Sequence, residues 1–233
     1  VSLAENWGRV RRRELGGEGY FKLTPALYGI RQAFAAEAAG KIGGRVLDAG
    51  AGFGAWRAPL RRAGAATVVG VDRTPAAGLD AVCDLKRLPF RAGAFDGVLC
   101  AQVLEHDAEP GALVRELARV TRPGGTLVVT APHASRIHDA PHDYFRFTAY
   151  GLRAVVEGAG FDVVSCTPCG GLLSLVLHNA NSFLLAATAP VPLLGTVMAA
   201  AAKLTTPVAV ALERAFDRRR LFPLNYVVVA RRR

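Results

Sequence analysis

The feature that most restricts the fold of this chain is an alternation repeated through its first two thirds. Short apolar runs close on a polar or acidic residue, and a helix-forming segment follows each. The runs are Arg45 to Asp48, Thr67 to Val71 ending at Asp72, Ala81 and Val82 before Asp84, Gly97 to Ala101, Thr126 to Thr130, and Phe161 to Ser165. Between them, Pro110 to Val120 places Leu113, Leu117 and Val120 on one helical face. Thr148 is positioned to cap a helix running through Glu157 and closed by Gly158 and Gly160. Ala26 to Ala39 reads as a helix after Pro25, and Trp56 to Arg62 as another. Strands alternating with helices at this spacing require an open, mostly parallel sheet covered by helices.

Composition sets limits on the partners. Of 233 residues, 51% are apolar and 21% charged, enough for a core and outside the range of disordered chains. The net charge of +10 points to a polyanion, either nucleic acid or an anionic membrane face. Arginines cluster at Arg9 and Arg11 to Arg13, at Arg57, Arg61 and Arg62, at Arg214 and Arg218 to Arg220, and at Arg231 to Arg233. The last two clusters flank or follow the most apolar stretch, which favours the membrane. Four cysteines make no disulfide framework, and Cys166-x-x-Cys169 reads as ordinary thiols. The first twenty residues have a basic, polar character with no apolar signal core, so a cytoplasmic location is expected.

The first strand ends in Gly50-Ala51-Gly52-Phe53-Gly54, a turn that lets backbone approach a ligand closely. Alone it also satisfies a dinucleotide fingerprint, Gly50-x-Gly52-x-x-Ala55. Its context is more specific: Asp48 before it, Asp72 after the second strand, Asp84-Leu85 after the third, Leu88-Pro89-Phe90, then Gln102-Val103-Leu104-Glu105-His106 and Arg122-Pro123-Gly124-Gly125. That ordered set resembles the class I S-adenosylmethionine-dependent methyltransferases, over residues 44 to 167 and the last strand at Asn225 to Ala230. The resemblance implies an α/β fold: a three-layer, Rossmann-like, seven-stranded sheet whose last strand runs antiparallel between the fifth and sixth.

It also implies S-adenosyl-L-methionine as cofactor. Gly50, Gly52 and Gly54 would lie against its methionine part and ribose, Asp72 on the ribose hydroxyls, Asp84 at the adenine amino group, Leu85 beside the ring, Gln102 near the sulfonium end, and Asp48 at the ammonium. His106 is expected to support its loop. Because the sulfonium is already activated, the protein's task is to align the nucleophile and exclude water, with a base needed for a poorly acidic hydroxyl. Candidates follow the fifth strand: His133, His138, Asp139, His142, Asp143, Tyr144 and Arg146. His142 is the first choice as base and His133 the second, with Tyr144 placing the acceptor; no metal is expected. The segment Pro141 to Thr148 resembles one recurring in a bacterial branch of these enzymes.

One segment departs from that pattern. From Val163 through Ala202 there are 40 residues without a charged side chain, within an insertion of Thr167 to Leu224 where a short hairpin is usual. His178-Asn179-Ala180-Asn181 interrupts one candidate span, and Pro190, Pro192, Lys203 and Pro207 divide the other. Two apolar helices near Leu172 to Ala187 and Leu193 to Leu212, joined by a proline turn and followed by arginines, read as an interfacial hairpin that roofs the acceptor pocket. The expected organisation is a lid over 1–40, a methyltransferase core over 41–168 and 224–233, and the hydrophobic insertion over 169–223. The expected enzyme O-methylates a small lipophilic or lipid-linked acceptor at the inner face of the cell membrane, without nucleic acid, and with the insertion as either a peripheral membrane contact or a homodimer interface. The alternatives are a nucleic-acid methyltransferase, against which Cys100-Ala101-Gln102-Val103 lacks a Pro-Pro-aromatic motif, and a non-catalytic membrane scaffold.

Overall fold

A computed structural model describes residues 2–14, 18–217 and 220–233. Arg218 and Arg219 of the basic clusters therefore lie outside the described residues, as do the side chains of Arg11, Arg12, Arg13 and Arg214. The chain begins with α1 (Leu3–Glu14), α2 (Glu18–Phe21) and α3 (Pro25–Glu37), followed by β1 (Gly44–Ala49), α4 (Arg57–Ala63), β2 (Ala65–Asp72), β3 (Ala81–Val82) and β4 (Phe95–Ala101). A single 3₁₀ turn at Leu104–His106 leads to α5 (Pro110–Val120), β5 (Thr121–Pro132), α6 (Ala149–Gly158), β6 (Phe161–Cys169), α7 (Leu172–Thr188), α8 (Pro192–Phe216) and β7 (Asn225–Arg232). Two compact units result: a sheet unit of residues 33–133, 141–167 and 226–233, and a helical unit of 1–32, 134–140 and 168–225. The N-terminal residues expected as one lid are thus divided, with 1–32 grouping in the helical unit.

In the sheet unit the strand order is β3-β2-β1-β4-β5-β7-β6, so the last strand enters between the fifth and sixth. The pairs β1–β2, β1–β4, β2–β3 and β4–β5 are parallel, with Leu47 opposite Val69 on one side and Val98 on the other. Consecutive Val46 and Leu47 are both fully buried, the pattern of a parallel strand covered on both faces. Leu47, Val98, Leu113, Leu117, Val129, Phe161 and Val228 form the middle of the core. Because these strands run parallel, the ends of β1, β2, β4 and β5 bring Asp48, Asp72, Gln102 and His133 to one edge.

β5 begins five residues earlier than the sequence suggests, since Arg122-Pro123-Gly124-Gly125 is absorbed into the strand at a register shift opposite Phe95 and Gly97. The three C-terminal arginines are also put to a different use than expected. Arg231 donates to the Gly124 carbonyl, Arg232 to those of Ala118 and Gly160, and Arg233 to those of Glu157 and Phe161, so they serve the ends of helices and strands.

In the helical unit the basic, polar N-terminal segment carries α1 and α2, and α1 packs against α7. α7 and α8 form the expected hairpin, with one correction: Lys203 and Pro207 do not divide the second segment, which is one helix of 25 residues. Pro207 costs that helix a single backbone bond, and Lys203 is neutralised by Glu14 at 2.6 Å. The buried Glu213 carboxylate accepts from both the backbone N–H and the hydroxyl of Ser174, closing the open end of the hairpin.

Candidate active site

The glycine turn takes its shape from three left-handed residues, Gly50, Gly52 and Gly54, at φ of 80°, 52° and 74°. A Cβ on Gly50 would lie 2.3 Å from Val103 Cγ2, whereas one on Gly52 or Gly54 would meet open space. The turn is therefore closed beneath and open above, where a ligand can reach its backbone. Gly50 and Ala51 donate to the Val71 carbonyl at 2.9 and 3.0 Å.

Asp72, at the end of β2, accepts from Gly52 N–H through Oδ2 and from Thr74 N–H through Oδ1, each at 2.9 Å. Each oxygen keeps a further lone pair, so the carboxylate can hold the turn and still accept from a diol. Arg57 braces the turn from outside, donating to Val68 and Gly78 carbonyls and pairing with Asp80 at 2.7 Å. Asp80 also accepts from Gly70 N–H; that bond foremost, and Arg57 after it, hold its carboxyl below the usual range. Arg57, counted in the sequence with Arg61 and Arg62 as one of the basic clusters, is thus occupied inside the sheet unit. Its partner lies 23 residues away with no local signal to reveal it.

Asp48 is 1% exposed, and among the described residues its Oδ1 has no hydrogen-bond partner. Burial pushes its carboxyl up to about 7, reinforced by Asp72 and opposed by Arg57. An orphaned carboxylate oxygen beneath a glycine turn fits a cationic or N–H donor group, such as the ammonium of an amino acid. Asp84 is exposed in the turn after β3, where its Oδ1 accepts from Lys86 N–H, and Leu85 beside it is buried. Gln102 has a left-handed backbone at φ 57°, and its amide donates to the Thr130 hydroxyl at 3.2 Å. A strained non-glycine residue at the end of β4 aims the loop that follows.

Sequence reasoning missed the organiser of that loop, Glu105. It is fully buried, 3.7 Å from His106 Nε2, and its backbone carbonyl accepts from Tyr144 N–H at 2.8 Å. His106 donates through Nδ1 to the His142 carbonyl at 2.7 Å, which makes it a support for the segment 142–147. Arg146 forks onto Asp143 at 2.6 and 2.8 Å. His142 is exposed, with Nδ1 3.0 Å from the Tyr144 hydroxyl. His133 is half-buried, its Nδ1 2.9 Å from the Phe147 carbonyl and its ring edge-on to Tyr226. A carbonyl accepts only, so Nδ1 of His133 carries the hydrogen and Nε2 of the neutral ring is the basic atom. His138 and Asp139 belong to the helical unit.

Strand order, glycine turn and acidic strand ends together give the sheet unit the fold of the class I S-adenosylmethionine-dependent methyltransferases. Residues 47–129 match the family model described as a methyltransferase domain. The ubiquinone biosynthesis O-methyltransferase of Xanthomonas campestris pv. campestris (strain B100) is 29% identical over 141 residues, covering 54% of this chain and 59% of that protein. The chain thus spans about three fifths of the curated relatives it matches. Among solved structures, the Burkholderia thailandensis 1,6-didemethyltoxoflavin-N1-methyltransferase with bound S-adenosylhomocysteine superposes with a TM-score of 0.58 at 18% identity, over 100% of this chain and 91% of that one. The [4+2]-cyclase SpnF superposes with a TM-score of 0.59 at 21% identity, over 94% and 86%. A methyltransferase and a cyclase on one architecture mean that these likenesses establish the fold, and the reaction has to be argued from the site.

Proposed function

We propose that this chain is an S-adenosylmethionine-dependent O-methyltransferase whose acceptor is a lipophilic or lipid-linked hydroxyl compound, met at the cytoplasmic face of the cell membrane. The observation that carries the cofactor reading is Asp48, a buried carboxylate with an orphaned oxygen under a turn open to a ligand. Asp48 would hold the ammonium, the backbone of Gly50 to Gly54 the amino-acid and ribose portion, Asp72 the ribose hydroxyls, Leu85 and Asp84 the adenine, and Gln102 the neighbourhood of the sulfur. When bound, this cofactor supplies an activated methyl group, so no further activation of the donor is required. The protein's work is to place the acceptor oxygen in line and to take its proton.

His133 is the base this geometry favours over His142, because the Phe147 carbonyl fixes its tautomer with Nε2 as proton acceptor. The Tyr144 hydroxyl engages the ring of His142 instead. The choice of oxygen and of a lipophilic acceptor is supported by the name of the Xanthomonas relatives and by the 40 uncharged residues of the insertion. The nucleic-acid alternative loses force with Arg231 to Arg233 occupied by backbone carbonyls.

The test is incubation of the protein and cofactor with polyprenylated phenols and with a bacterial lipid extract, read by mass spectrometry for the gain of one methyl group. His133→Asn is expected to lower turnover by about 10² with cofactor affinity unchanged. Full activity in that variant together with loss in His142→Asn would move the base to His142. No methylated product from any hydroxyl acceptor would overturn the O-methyltransferase reading.

A further inference from the structure

The two long helices of the helical unit are built inside out. On α8 the buried positions are Gly195, Ala199, Ala202, Thr206, Ala209, Val210 and Glu213, all small or polar except Val210. At 100° per residue, Leu193, Val197, Leu204 and Val208 stand on the opposite face, and they are 79%, 54%, 72% and 53% exposed. α7 shows the inversion in part, with Ser174, Asn181, Ser182 and Ala186 buried beside one large residue, Leu185, while Leu172, Val176 and Phe183 face out. A helix at a water boundary does the reverse. Packing through small and polar residues with large aliphatic ones outward is the arrangement of helices solvated by hydrocarbon.

Four polar side chains of the hairpin are prepared for the same surroundings. Asn179 donates to the Leu175 carbonyl, and the hydroxyls of Thr188, Thr196 and Thr205 donate to the carbonyls of Leu184, Pro192 and Ala201. Each donor is satisfied within its own helix, which a group facing water does not need and one facing lipid does. His178, the titratable side chain of α7, is pushed down to about 4 by burial and by Arg136 and His138, so it adds no charge at neutral pH. Charge decides the identity of the partner. The helical unit contains twelve Lys and Arg against six Asp and Glu, so a second copy would meet like charge and an acidic surface would meet opposite charge.

We propose that the α7–α8 hairpin docks on a bilayer containing anionic lipid, its Leu193, Val197, Leu204, Val208, Val176 and Phe183 face among the acyl chains, with the unit's net positive charge selecting the anionic headgroups. The contact is monotopic. Both ends of the hairpin return to one unit, which excludes a single crossing, and α7, with 17 residues, is about 25 Å long where a hydrocarbon core is about 30 Å, which disfavours a double one. α8 has the length and apolar character of a span over Pro192–Glu213, and in this arrangement lies along the interface. The inference is independent of the methyl acceptor.

Co-sedimentation of the full chain with vesicles tests it, using phosphatidylcholine alone and phosphatidylcholine with about a quarter phosphatidylglycerol. Binding is expected to the anionic vesicles, weakened severalfold by added salt and not abolished, since headgroup attraction is screened and apolar burial is not. Leu193→Glu with Leu204→Glu and Val208→Glu is expected to reduce binding at least about tenfold, with melting temperature and S-adenosylhomocysteine binding unchanged. Leu204→Glu alone, at a position 72% exposed, is expected to reduce it in the same direction. A full chain that stays free of anionic vesicles, variants that bind as the parent does, or a dimer that the triple variant converts to monomer would each overturn the proposal. S-adenosylhomocysteine binding, measured alongside, reports on the methyltransferase reading separately.

Discussion

At the end of β1 the Asp48 carboxyl sits where almost nothing solvates its charge, and burial pushes it up to about 7. In the unfolded chain an aspartate titrates at about 3.9. Between those values the native protein holds a proton that the unfolded chain has released, so the ligand-free protein loses stability as pH rises from about 4 to about 7 and is level above. Asp48→Asn is expected to flatten this dependence, seen as a smaller fall in melting temperature between pH 5 and 7.5 than in the parent. A cationic ammonium brought to Oδ1 favours the ionised form, so S-adenosylhomocysteine binding at pH 6 is expected to release close to one proton. Titration calorimetry in buffers of different ionisation enthalpy measures it, and a proton count that Asp48→Asn leaves unchanged would place the titrating group elsewhere.

At the scale of elements, Glu213 joins the last turn of α8 to the first turn of α7 through Ser174. Glu213→Ala leaves a buried hydroxyl and N–H without their acceptor, at a cost of about 2 to 4 kcal/mol. Faster hydrogen exchange of the α7 amides, with those of β1 and β4 unaffected, is the expected signature. What the sequence disclosed of such elements follows from how local their causes are. Pro110 to Val120 and the Thr148 cap were legible because the determinants sit inside the element, and the cap is present, with the Thr148 hydroxyl accepting from Gly151 N–H. The strand ends were legible through their acidic residues, and Asp48, Asp72 and Gln102 do lie on one sheet edge. Arg231 was misread because its partner, Gly124, is 107 residues away, and a charge run shows nothing of the carbonyls it will meet. α1 was hidden for a related reason: its buried face, with Asn6 inside, exists only against α7. Lys203 looked like a break in an apolar helix until Glu14 of α1 was found beside it.

For the molecule as a whole, every residue assigned to the cofactor lies in the sheet unit, while the exposed apolar faces of α7 and α8 lie in the helical unit. Cofactor binding is therefore a property of one unit, and it is the claim on which the methyltransferase account stands. The direct measurement is thermal unfolding of the full chain with S-adenosylhomocysteine, with S-adenosylmethionine and with NADH, since a ligand that binds only the native state raises its melting temperature by mass action. The glycine turn alone would accommodate either kind of cofactor; on the proposed assignment Asp48 beneath it and Asp72 beside it would select an amino-acid nucleoside. The account predicts a concentration-dependent rise with both sulfur compounds and none with NADH. A rise with NADH and none with S-adenosylhomocysteine would contradict it.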